Sequence, residues 1–152
     1  MTVTPFYASG LKFSCRRCSS CCRYDAGYVF LSENDLKKLT AELKTDRNSF
    51  IKTYCRWVKD SQSGNEVLSL KEKSNKDCIL WDSVCLVYMA RPVQCSTFPF
   101  WKSIVASTQA WQIAATGCPG MNTGKLHSEK TIDRYIKKRT SESIIIRQEG
   151  NQ

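Results

Sequence analysis

No stretch of these 152 residues is apolar for long enough to cross a bilayer, and the first fourteen, MTVTPFYASGLKFS, hold no basic segment followed by an apolar one. The chain is therefore expected to be soluble and cytoplasmic, with no membrane contact. It carries no Ser-His-Asp set, no carboxylate pair and no glycine-rich phosphate loop, so no catalytic residue is assigned. The balance is against an enzyme, and any reaction would have to come from a bound metal centre. Histidine occurs once, at His127 beside Ser128, where a surface or capping role is preferred to that of a metal ligand. No repeat and no low-complexity segment interrupts the chain.

Cysteine is abundant instead: nine residues, in a chain with 41% hydrophobic content, four Trp, six Tyr and six Phe. That is enough apolar material for one real core, and an α+β single domain, small and loop-rich, is expected over 1–124 with an amphipathic helix and tail over 125–152. In a reducing compartment disulfides are rare and thiolate metal sites common, whereas secretion would make the same odd count a disulfide scaffold with one thiol over. The formal charge of +9 treats every cysteine as a neutral thiol and falls if they bind metal as thiolates. Basic residues are scattered along the sequence, so nucleic acid is not expected as a partner, while a protein partner is left open. Trp81, Trp101 and Trp111 interleave with basic residues and are read as packing rather than as base-stacking platforms.

Along the chain, a short strand is expected over 28–31. Ser32 and Asp35 form a capping-box pattern ahead of Leu36, Leu39 and Leu43, and that helix ends near Lys44. A second helix starts at Asp46 or Asn48, with Phe50, Ile51, Tyr54, Trp57 and Val58 on one face and Cys55 inside it. Residues 66–70 alternate as an exposed strand. Asp82 and Ser83 make a turn, and Pro92 opens a short helical turn presenting Cys95. A strand over 110–115 and a tight turn over 117–120 follow, and Ser128 caps a helix with Ile132, Tyr135 and Ile136 on one face.

Cys15, Cys18, Cys21 and Cys22 form C-x-x-C-x-x-C-C, and Cys78, Cys85, Cys95 and Cys118 return later singly. Spacing of two lets both sulfurs face one ion from a tight turn, as in zinc knuckles and iron–sulfur loops. Three cysteines at successive spacings of two match ferredoxin-type runs, which favours iron or an iron–sulfur cluster; zinc is the alternative, because it accepts four thiolates from distant parts of a chain. Adjacent Cys21 and Cys22 point to opposite sides of an extended segment, so one of them serves a second centre. Either two four-thiolate sites result, or one site plus structural thiols. The later cysteines are spaced too irregularly for a knuckle of their own and are expected around the N-terminal loop. Cys55 is read as a buried small hydrophobe. Arg91, Arg16, Arg17 and Arg23 either donate to thiolates or face water.

These residues resemble the YkgJ-type cysteine-cluster family, a zinc- or iron-chelating domain named for its C-x-x-C-x-x-C-C motif. The resemblance spans most of the chain: Phe13 before the motif, Gly27 after it, Ser32-Glu33-Asn34-Asp35-Leu36, Cys78, Cys85-Leu86-Val87-Tyr88, Arg91-Pro92-Val93-Gln94-Cys95, Phe98-Pro99-Phe100-Trp101 and Cys118-Pro119-Gly120. Ser19 and Ser96 depart from the family's usual Gly and Arg. The resemblance implies metal chelation through Cys15, Cys18, Cys21, Cys22, Cys78, Cys85, Cys95 and Cys118, serving metal handling or electron transfer. The competing readings are a zinc-stabilised module that binds nucleic acid or protein, and an iron–sulfur component of a modifying enzyme, since a similar cluster looks to be part of flagellin lysine methylases.

Overall fold

The structure is a computed structural model and describes residues 3–17 and 28–148. In chain order its elements are β1 (Leu11–Phe13), α1 (Glu33–Leu43), α2 (Arg47–Tyr54), β2 (Cys55–Lys59), β3 (Glu66–Leu70), β4 (Trp81–Asp82), β5 (Val84–Cys85), a 3-10 turn (Tyr88–Ala90), α3 (Val93–Thr97), α4 (Thr108–Ala115), β6 (Met121–His127) and α5 (Glu129–Ser141). The fold is α+β, with β1–β6, β2–β3 and β4–β5 each forming a two-stranded antiparallel sheet among the described residues. No helix among them is long and apolar enough to cross a membrane. The chain forms two compact units: Met1–Ser20 with Thr97–Ser141, and Cys21–Ser96 with Glu142–Gln152.

In the first unit, β1 pairs with β6 from Leu11↔His127 to Phe13↔Met121, with a bulge after Lys12. The core is aromatic. Phe100 stacks on Trp111 at 5.9 Å between ring centroids, and Val105, Met121 and Ile132 complete the buried set. Residues 108–115 form a helix, not the expected strand: Ser107 caps it by accepting from the Ala110 amide, and Ala110, Trp111, Ala114 and Ala115 are helix-compatible residues that turn Trp111 inward. Ser128 caps α5 through the Thr131 amide, and Ile132 is fully buried, as its spacing predicts.

The second unit has an aliphatic core of Leu31, Leu36, Leu39, Leu68, Leu70, Leu80, Val87 and Ile145 around Phe50; full burial of each such side chain contributes about 1.5–3 kcal/mol. The capping box of α1 is present: the Ser32 hydroxyl accepts from the Asp35 amide and the Asp35 carboxylate from the Ser32 amide, both at 3.0 Å, and left-handed Lys44 ends the helix. Asp46 caps α2, which stops at Tyr54 rather than running on through Val58. Cys55 turns extended there (φ −118°, ψ 161°), and β2 takes up a full ladder with β3 from Cys55↔Leu70 to Lys59↔Glu66. Cys55, Trp57 and Val58 are therefore strand residues. The other edge of β3 is bridged by Phe30 at Ser69 and Ile146 at Val67, with the Leu31 amide donating to the Leu68 carbonyl. That double coverage buries 67–70, which alternation had marked as exposed, and reduces the expected strand over 28–31 to an extended segment bridged at Phe30.

Candidate metal centre

Cys18, Cys21 and Cys22, with Ser19, Arg23 and Gly27, lie outside the described residues; Cys15 and the flanks on either side of the motif lie within them. Cys15 is exposed, and its sulfur accepts a hydrogen bond from the Arg17 amide at 3.4 Å. Arg17 itself takes a left-handed conformation (φ 51°).

Just before Cys15 the chain is held tightly. The Ser14 amide donates to the Gly120 carbonyl at 3.2 Å, and the Ser14 hydroxyl accepts from the Lys125 amide at 2.9 Å. A Cβ at Gly120 would collide with the Ser14 carbonyl oxygen, and one at Gly124 with the Ser14 hydroxyl. Gly120 closes the Cys118-Pro119-Gly120 turn, in which the Met121 amide donates back to the Cys118 carbonyl at 3.1 Å. The entry to the motif and the turn carrying Cys118 are thus hydrogen-bonded neighbours.

The downstream flank is held in the same manner. Gln94, the residue before Cys95, accepts from the Phe30 amide at 3.0 Å and donates to the Tyr28 carbonyl at 2.7 Å, fixing that segment to the helix that bears Cys95. The N-terminus of this helix is anchored in turn, because the fully buried Asp35 carboxylate accepts from the Val93 amide at 2.9 Å. Cys78 and Cys85 share one hairpin: the Trp81 amide donates to the Cys78 carbonyl at 2.9 Å, and Trp81 stands opposite Cys85 in β4–β5. Both cysteines are half-buried against the aliphatic core, and Cys118 is half-buried against the aromatic one.

Ser14 and Gln94 carry these ties, and the sequence singled out neither for this role; the signal available was that each immediately precedes a cysteine. Cys55 is buried, and burial pushes its thiol up to about 12, with Lys71 opposing only weakly. A thiol so reluctant to ionise suits packing. Arg91 is half-buried: its Nε donates to the Tyr88 carbonyl at 3.0 Å and its guanidinium lies 4.0 Å from the Tyr88 ring centroid. His127 is not a surface or capping residue. It lies half-buried beside Phe100 and Tyr135, and its Nε2 stands 2.9 Å from the Phe13 carbonyl. A carbonyl only accepts, so that nitrogen carries the proton, while Nδ1 is buried without a hydrogen-bond partner among the described residues.

Among the described residues no three His, Cys, Asp or Glu side chains converge closely enough to hold a metal ion. Their donor chemistry nevertheless suits a thiophilic metal, given an amide directed at the Cys15 sulfur, a backbone bond from Ser14 to the Cys118 turn, and the Gln94 side chain holding Tyr28 and Phe30 to the helix that bears Cys95. A family model named CxxCxxCC and described as a "Putative zinc- or iron-chelating domain" matches residues 14–119, more than two-thirds of the chain. No solved structure matches it.

Proposed function

The chain belongs to the CxxCxxCC family of zinc- or iron-chelating domains, and from that premise we propose that it binds iron, as an iron–sulfur cluster or as iron alone, through Cys15, Cys18, Cys21, Cys22, Cys78, Cys85, Cys95 and Cys118. Zinc is the alternative occupant of the same thiolates. The observation that supports this reading best is the pair of ties, Ser14 to Gly120 and Gln94 to Tyr28 and Phe30, which bring the flanks of the motif to the segments bearing Cys118 and Cys95. Ligands gathered from such separated segments suit metal handling or electron transfer. An iron–sulfur cluster, when bound, supplies one-electron chemistry. The part of this chain is to orient the thiolates and direct amides at their sulfurs.

The test is elemental analysis and visible absorbance of protein purified without oxygen. Iron with acid-labile sulfide and a brown colour is expected. Cys18→Ser and Cys118→Ser should lose metal, and Cys55→Ser should keep it. Zinc alone would overturn the choice of iron, neither metal would overturn chelation, and equal loss in Cys55→Ser would overturn the division into eight ligands and one packing thiol.

A further inference from the structure

The basic residues, dispersed along the sequence, are divided very unequally by the fold. Met1–Ser20 holds three Lys and Arg and Thr97–Ser141 seven, against only two acidic residues, Glu129 and Asp133. Of 23 basic and 14 acidic residues in the chain, thirteen and twelve are left to the other unit, which is close to neutral. Nearly the whole positive excess therefore belongs to one unit.

Within that unit much of the charge is displayed on α5. Lys130, Arg134, Lys137 and Lys138 are exposed and recur at helical spacing along α5, opposite the face that buries Ile132. None of the four meets a carboxylate among the described residues. Asp133, next to Arg134 in sequence, is engaged by the Tyr7 hydroxyl at 2.7 Å. At the end of α5 the Arg139 guanidinium lies 4.2 Å from the centroid of the Trp101 ring, and a cleft of about 270 Å³ is lined by these two residues with Lys102, Ser103, Ile136 and Thr140. That volume falls just below the usual range for drug-sized ligands, as suits a small flat group. Planar guanidinium and indole surfaces stack on bases, and lysines track phosphates.

We propose that this unit binds single-stranded nucleic acid, with phosphates along the Lys130–Lys138 face of α5 and a base at the Trp101–Arg139 cleft. A bilayer is a poorer match, because the apolar face of α5 is already turned into the core and cannot enter a membrane. An acidic protein would use the charge but has no need of a stacked, planar cleft. The proposal is independent of which metal the cysteines hold.

The test is fluorescence anisotropy of a labelled oligouridine of about 20 nucleotides, titrated with the full metal-loaded chain at 50 and 200 mM salt. Binding is expected to weaken with salt, and the Arg134→Ala, Lys137→Ala, Lys138→Ala triple variant to bind about tenfold more weakly with a salt slope shallower by about 2, three phosphates at about 0.7 each. Trp101→Ala should lose about tenfold with the slope unchanged, and Trp101→Phe, which keeps a ring, should bind within about twofold of the parent. Lys37→Ala with Lys52→Ala, exposed in the other unit, should change nothing. Near-UV circular dichroism and metal content monitor folding of each variant. No binding at 50 mM salt overturns the proposal. Equal competition by polyglutamate, a preference for phosphatidylserine vesicles, or Trp101→Ala binding like the parent also overturns it, as plain polyanion adhesion.

Discussion

The two units are held by different means. One packs aromatic rings, Phe100 on Trp111 with Phe13, His127 and Tyr135 around them; the other packs leucines and adds the ion pairs Arg47–Glu33, Arg56–Glu72 and Arg147–Glu66. The second unit pairs several of its charges internally, whereas the first turns Lys130, Arg134, Lys137 and Lys138 outward. Each nonetheless sets cysteines at the margin of its core, Cys118 in one and Cys78 and Cys85 in the other, and each ties the residue before one further cysteine, Ser14 or Gln94, to a distant backbone.

The largest effect expected is that of Phe100→Ala. Phe100 is 2% exposed and touches most of the aromatic cluster, so its loss should cost about 3–5 kcal/mol in urea unfolding and flatten the near-UV circular dichroism. A loss under about 1 kcal/mol would show that rings are not what holds this unit. In the other unit the counterpart is polar: Asp35→Ala removes the acceptor for the Ser32 and Val93 amides and should cost about 2–4 kcal/mol, with Asp35→Asn milder because one oxygen still accepts. If Asp35→Ala is tolerated, the contrast between a ring-held and a polar-anchored unit fails.

The smallest effect sharpens the comparison in alkali. Burial pushes the Cys55 thiol from its ordinary value of 9.0 to about 12, and burial with the neighbouring Asp133 carboxylate pushes the Tyr7 hydroxyl from 10.0 to about 12. Each folded value lies above the unfolded one, so the unfolded chain ionises first and stability falls as pH rises: from about 9 through Cys55, from about 10 through Tyr7, and up to about 12 for both. Cys55→Ala should flatten the denaturation curve between pH 9 and 10, and Tyr7→Phe only above 10. A decline between pH 9 and 10 that is unchanged in Cys55→Ala would show that its thiol is not shielded in the folded chain.

What was legible in the sequence was local. The Ser32–Asp35 capping box, the Asp46 and Ser128 caps, the Ser83 turn and the helical turn at Cys95 each depend on a few neighbouring residues, and each is present. What was illegible depends on partners far along the chain. Phe50 to Val58 keeps helical spacing, yet ladder bonds to β3 pull Cys55 onward into a strand. Val67 to Leu70 alternates as a surface strand would, but residues 144–146 return from the end of the chain to cover its second edge. His127 gave no sign in sequence that its nitrogen would meet a carbonyl 114 residues away. Of the candidate site, the burial of Cys55 could be read early, while the bonds made by Ser14 and Gln94 emerge only from the fold.

The tie between Ser14 and Gly120 also has a consequence in time. Residues that meet across more than a hundred positions must close a long loop, and such contacts form late. On the ribosome the segment that holds Cys15 emerges more than a hundred residues ahead of the turn with which its entry is hydrogen-bonded. Over that interval Cys15 is on offer before the backbone that fixes its approach exists. The nascent chain thus passes through a stage in which that thiol meets oxidants and stray ions without the turn that later stands beside it.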